Sequence, residues 1–415
     1  MKQTQRIFAL LAACGIAAVG NAQGYYTADV MEEIVLTPVK HEQRLHERRK
    51  TARGEALDPM EKLVRSGKQE LHKVGLEVGA DISYLAQRAA PSGKQTAIQG
   101  VYYPYLTWNL FKDGSLGSGQ LNVNYTLVRY WGTQAATLQN RVDTAVPFND
   151  YAANQEIFSQ FSYTHTLPGD WNWLSITVGQ FPLYNFDGTQ YIANQQTALM
   201  NYALSQNATS AYPSASFGGY VQAQSKTWTF AAGYQDATNI SGSQVRLKDA
   251  FDGKYTLFGS LAWNPQFDLG QGQYSVLYYY QPSVAPQPEN VNGWSFNMQQ
   301  NMGDRWAMFG RANGSSKGAT GVKNSYALGM AYLNPLHRNA ADAIIAGVAY
   351  NDLSKRAFGN PANMRENEMA LELQWIWGIG NWITITPDLQ FYPKAGLDRN
   401  QDAVTVVGLR TTIML

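Results

Sequence analysis

From residue 74 onward the chain alternates. In "VGLEVGADISY", Val74, Leu76, Val78, Ala80, Ile82 and Tyr84 fall on one parity; Gly75, Glu77, Gly79, Asp81 and Ser83 fall on the other. Alternation of this length predicts a strand with one apolar and one wet face. The pattern recurs to the last residue. It predicts sixteen strands, at 74–87, 101–112, 118–131, 156–167, 173–181, 215–224, 226–236, 254–264, 271–281, 293–302, 305–312, 324–334, 342–351, 366–377, 381–391 and 402–415.

The connections alternate as well. Short ones fall at 113–117, 168–172, Ser225, 265–270, 303–304, 335–341 and 378–380. Long ones fall at 88–100, 132–155, 182–214, 237–253, 282–292, 313–323, 352–365 and 392–401. An even number of strands with tight turns at one end and long loops at the other is the form of an outer-membrane barrel. Hydrocarbon demands that every backbone N–H and C=O be paired within the protein, and a closed sheet leaves no edge. The expected fold is therefore all-β: a 16-stranded antiparallel transmembrane β-barrel over 74–415. Sixteen strands enclose an aqueous lumen rather than a packed interior. Leu371, Leu373 and Trp375 are expected against lipid, with Glu368, Glu372 and Gln374 inside. Trp131, Tyr130, Trp173, Tyr278, Trp377 and Trp382, near strand ends, suit the aromatic girdles of the two interfaces. In the last stretch, "DAVTVVGLRTTIML", Leu409, Ile413 and Leu415 share a parity opposite to Arg410. This predicts a closing seam with Arg410 in the lumen, beside Glu77 or Asp81 of the first strand.

Ahead of the alternating region lie two other segments. "MKQTQR" followed by the apolar "IFALLAACGIAAVG" and the small residues "GNA" reads as a secretory signal peptide over 1–22. Cys14, the one cysteine, lies within that run. Leu11-Ala12-Ala13-Cys14 also matches a lipoprotein cleavage box, and the sequence leaves open whether Cys14 is lipidated. Residues 23–73 are charged and poor in aromatics. Asp58-Pro59 with Glu61 predicts a helix start there, so this segment reads either as a short periplasmic helix flanked by loose chain or as a disordered leader.

Composition narrows the class. Charged residues are 15% of the 415, aromatics are 13%, and the formal net charge is +1. With no basic stripe, nucleic-acid binding is not expected. Five histidines are present, and no Ser/His/Asp order, H-E-x-x-H pattern or phosphate-loop spacing accompanies them. The chain is expected to be no enzyme and to carry no cofactor or metal.

The candidate chemistry lies in the lumen. Inward parity holds the charges Glu77, Asp81, Arg311, Glu368, Glu372, Asp388 and Arg410. Placing such charges against lipid costs about 2–4 kcal/mol at mid-membrane. The longest loop, 182–214, "PLYNFDGTQYIANQQTALMNYALSQNATSAYPS", is rich in amides and aromatics and holds one acid. Amides and carboxylates hydrogen-bond sugar hydroxyls, and aromatic rings stack on C–H faces. Tyr184, Asn185, Asp187, Tyr191, Asn194, Gln195, Asn201 and Tyr202 are the candidates for contact or constriction. The same composition also suits a loop packed on itself.

Two stretches resemble the carbohydrate-selective porin family of OprB type. One is "ITITPDLQFYPKAG" with "DAVTVVGLRTTIML", in which Pro387, Asp388, Leu389, Gln390, Phe391, Pro393, Gly396, Gly408, Leu409 and Arg410 match. The other is "VGQFPLYNFDG" with "NQQTALMNYALSQ". The resemblance implies an outer-membrane porin passing small hydrophilic solutes, sugars favoured, by passive diffusion through a channel narrowed by 182–214. The alternatives are a general or ion-selective porin, and, from another class, a barrel-borne hydrolase. Expected partners are sugars or other small solutes, outer-membrane lipid and the barrel assembly machinery; a homo-oligomer stays open. Two features depart from the family: Leu415 stands where Phe is usual, and the charged leader is long. Pro387 falls mid-strand, where the missing N–H predicts a local kink or bulge on the lumen side.

Overall fold

The structure is a computed structural model. It describes residues 67–415 apart from 92, 249, 250, 252, 286, 288, 317–319 and 381. The signal peptide, Cys14 and the helix start at Asp58 lie outside the described residues. Residues 67–73 are helical and lead into the first strand.

One antiparallel sheet forms the wall of the molecule, joined by loops of very different length. Its strands are β1 (Leu76–Ala90), β2 (Ala97–Gly114), β3 (Gly117–Tyr130), β4 (Gln155–Thr166), β5 (Leu174–Phe181), β6 (Ser216–Gln224), β7 (Trp228–Asp236), β8 (Tyr255–Trp263), β9 (Gln266–Phe267), β10 (Gly270–Gln281), β11 (Val291–Met302), β12 (Trp306–Ser315), β13 (Val322–Leu333), β14 (Ala343–Leu353), β15 (Asn367–Ile379), β16 (Ile383–Tyr392) and β17 (Val404–Met414). The two-residue β9 belongs to a turn, so sixteen strands cross. Each pairs with its neighbours in sequence, and β1 pairs with both β2 and β17, which closes the barrel. The seam runs to the last residue: Leu415 N–H donates to Ala80 O at 2.8 Å, and Ala80 N–H donates back at 3.0 Å.

All sixteen expected strands are present, and inside and outside follow parity. Leu371, Leu373, Trp375, Val407 and Leu409 are exposed on the outer face, whereas Glu368, Glu372, Gln374 and Arg410 are buried inside. Three details differ from expectation. Tyr130 has inward parity and bonds Tyr151 O at 2.5 Å inside the barrel, so it belongs to no girdle. At the seam Arg410 stands opposite Leu85, and Asp81 stands opposite Met414. Barrel closure staggers the strands by a fixed shear, so facing parity did not set facing height. Pro387 points outward and produces no bulge. The β15–β16 ladder skips from Gln374↔Asp388 to Trp377↔Ile385 without a register shift, and β16–β17 pairing runs through Pro387↔Leu409. The missing N–H is absorbed as a local gap in one ladder.

Candidate functional site

The lumen is crossed by chain. Loop 182–215 leaves the end of β5 and returns at Ser216 of β6. Inside it are a 3-10 turn, Leu183–Phe186, and a short helix α2, Tyr202–Ser205, capped by the Asn201 side chain, which accepts from Ala203 N–H at 3.1 Å. Nearly every residue of 182–214 is buried: Gln190 and Thr197 are exposed, and Asn185 and Asn194 half-buried.

The loop is tied to the wall in sequence order. Asp187 Oδ1 accepts from Ser295 Oγ at 2.6 Å and Asn297 Nδ2 at 2.9 Å on β11. Its Oδ2 accepts from Asn207 Nδ2 at 2.8 Å and Tyr212 OH at 3.1 Å, both within the loop. Arg311 of β12 lies 3.9 Å from Asp187 and donates to Ile192 O at 2.7 Å. Tyr191 stacks on Phe309 with ring centroids 5.7 Å apart. Gln196 Nε2 donates to Ser83 Oγ of β1 at 3.1 Å, and Thr412 of β17 donates to Gln196 O at 2.8 Å.

The stretch 195–201 is then held by its backbone. Arg410 donates to the carbonyl oxygens of Gln195 and Ala198, while the Glu372 carboxylate accepts from the N–H groups of Met200 (2.6 Å) and Asn201 (2.8 Å). Asn201 Nδ2 also donates to Tyr392 OH at 2.5 Å. Charged groups thus meet the oppositely signed ends of peptide dipoles, the strong class of hydrogen bond. Close packing completes the seat. A Cβ on Gly347 of β14 would lie 3.0 Å from Leu199 and 3.1 Å from Leu204.

A second loop, 131–154, also enters the lumen, which the sequence reading did not anticipate. It carries α1, Ala135–Val142, whose Leu138 and Val142 are buried with Phe148 and Tyr151. Glu368 accepts from the N–H groups of Ala145 and Val146, both at 2.8 Å, and of Gly396 at 2.6 Å. The two loops meet at Asp150, which accepts from Gln195 N–H at 3.0 Å and from Gln206 Nε2 at 3.1 Å, and from Ser205 Oγ. Burial pushes the Asp150 carboxyl up to about 7, and these donors pull against that shift. The apolar periodicity of "AATLQNRV" was the one available signal for α1. Nothing in it told an inward helix from an external one.

The expected residues are therefore distributed as follows. Glu77, Arg311, Glu368, Glu372, Asp388 and Arg410 are buried on the inner face, with Asp81 half-buried beside them. Glu77 lies near the start of β1, with His72 at 3.8 Å. Of the eight loop candidates, Tyr184, Asp187, Tyr191, Gln195, Asn201 and Tyr202 are buried in contacts with the protein itself, and only Asn185 and Asn194 reach water. Gln99, Asp150, Gln196, Ser295 and Asn297 join the network without having been singled out; they are single polar residues whose role depends on which loop reaches them.

Known proteins share this plan. The chain is 36% identical over 318 residues to Porin AaxA of Chlamydia abortus, covering 76% of this chain and 70% of that one. It is 33% identical over 348 residues to Porin AaxA of Chlamydia pneumoniae, covering 82% and 79%. The high-pH structure of Pseudomonas putida OprB superposes with a TM-score of 0.70 at 14% identity, over 85% of this chain and 97% of that one, which speaks for the fold. Residues 239–415, which carry the wall that grips both loops, match the family "Carbohydrate-selective porin, OprB family". With its closed sixteen-stranded wall, its inward loops and these relatives, the chain belongs to the OprB family of carbohydrate-selective porins.

Proposed function

We propose that this porin passes small hydrophilic solutes across the outer membrane by passive diffusion, with sugars favoured, and that loop 182–214 sets the constriction. The observation that carries the reading is the course of that loop: it leaves the β5–β6 edge and is bonded to β11, β12, β15, β17 and β1 across the lumen. Its water-reaching side chains, Asn185, Gln190, Asn194 and Thr197, are uncharged amides and a hydroxyl. Such groups both donate and accept, which matches polyhydroxylated solutes. The buried aromatics and Asp187 then serve to hold this surface rather than to touch the solute.

The test is conductance in planar bilayers titrated with glucose or a disaccharide. Saturable block of the ion current supports a sugar site. Conductance that falls only with bulk viscosity leaves a general porin. Deleting 186–208 is expected to raise conductance, and an unchanged value would remove the constriction from this loop.

A further inference from the structure

We propose that Glu368 and Glu372 are positioning residues that set the width of the channel by clamping the two inward loops through their backbones. The proposal rests on the reading of 182–214 as the constriction. The two carboxylates share the inner face of β15, four residues and so about 13 Å apart along the strand. Each spreads its two oxygens over two consecutive peptide N–H groups. Glu368 Oε2 and Oε1 take Ala145 and Val146 of loop 131–154. Glu372 Oε1 and Oε2 take Met200 and Asn201 of loop 182–215. Glu368 also takes Gly396 N–H from the loop between β16 and β17. One strand thus fixes three loops at defined heights. The grip reads peptide groups, so it specifies where each loop sits and is indifferent to most of its side chains.

The neighbouring wall supplies the opposing tendency. Asn313, Ser325 and Asn351 are cross-strand neighbours on β12, β13 and β14, and all are fully buried. Among the described residues, both amide atoms of Asn313, the Ser325 hydroxyl and Asn351 Oδ1 have no hydrogen-bond partner. Val146, Tyr191 and Leu204 of the inward loops pack in one apolar cluster with the adjoining Ala327, Ala349 and Leu353. Lifting the loops would hydrate this polar row, and buried polar groups without partners favour that outcome. The β15 carboxylates hold the loops against it.

The test compares full-length protein with Glu368→Gln, Glu372→Gln and the double variant, by single-channel recording and by liposome swelling with sugars of increasing size. Glutamine keeps the shape but turns one acceptor into an N–H that faces N–H donors. The clamp predicts higher mean conductance, frequent stepwise transitions and a size cut-off moved to larger solutes, most in the double variant. Wild-type traces and cut-off in the double variant would overturn it. The deletion of 186–208 separates the two readings. If deletion raises conductance while the double variant matches wild type, the clamp fails and the constriction stands. If deletion changes nothing, both fail. Should the glutamine variants not assemble, Glu372→Asp keeps the charge and shortens the reach. Ser325→Cys is then labelled in that background with a charged, water-soluble thiol reagent. Faster labelling than in Ser325→Cys alone supports the clamp, and equal labelling overturns it.

Discussion

Arg410 donates to the carbonyl oxygen of Ala198 at 2.8 Å, joining the closing strand to the middle of the inward loop. The same guanidinium reaches Gln195 O, Gln374 Oε1 and Thr386 Oγ1, and its side chain is fully buried. Arg410→Met removes these donors and leaves two loop carbonyls unpaired. Hydrogen bonds to charged groups contribute about 1.5–3 kcal/mol, so unfolding in detergent should shift by about 3 kcal/mol, with conductance raised. An unshifted midpoint would mean that the loop is held elsewhere.

Asp187 and Arg311 are both buried at 3.9 Å, with Asp187 taking four further donors. Asp187→Asn places an N–H among donors and strands a buried cation, at a cost of about 3–5 kcal/mol. Arg311→Met in the same background should recover part of that loss. A double-mutant cycle on denaturant midpoints measures the coupling, and additive losses would refute a shared interaction.

Gly329 and Gly347 are predicted to respond differently to alanine. At Gly329 a Cβ would fall 2.3 Å from the Phe309 ring and 2.5 Å from Ala346 O, a backbone atom that cannot step aside. At Gly347 it meets only the ends of Leu199 and Leu204. Overpacking typically costs about 1–3 kcal/mol. Gly329→Ala should reach the upper part of that range and Gly347→Ala the lower; the first presses on the inward loop through Phe309 and the Tyr191 stacked on it, the second through Leu199 and Leu204 directly, so both should change the conductance.

Leu373 lies on the outer face of β15, half exposed, between Glu372 and Gln374 on the inner one. Leu373→Arg should destabilise folding into vesicles by about 2–4 kcal/mol if that height is mid-membrane. Reversible folding titrations in lipid vesicles read this directly, and a neutral result would place this face out of lipid.

Strands were legible because period two is a local property. Glu372 and Leu373 needed only their neighbours to be assigned to opposite faces, and the lumen charges followed from the same rule. The seam was legible as a seam but not in its height. Arg410 meets Leu85 because the stagger of sixteen strands accumulates around the ring, and no single stretch of sequence encodes that sum.

The loops divide differently again. Sequence alone marked 182–214 as long, amide-rich and unlike an ordinary external connection, and by resemblance as the constriction region. It offered the side chains of Asp187, Tyr191 and Asn201 as contacts for a solute, with a loop packed on itself as the alternative. Tertiary structure decided that they are engaged, because β11, β12 and β16 bring Asn297, Phe309 and Tyr392 to them from far along the chain. The wall also grips the loops by peptide N–H and C=O groups, which every residue carries and which therefore leave no trace in composition. The alternating pattern determined the barrel and its two faces, and the closed ring decided which backbone groups the carboxylates of Glu368 and Glu372 would find.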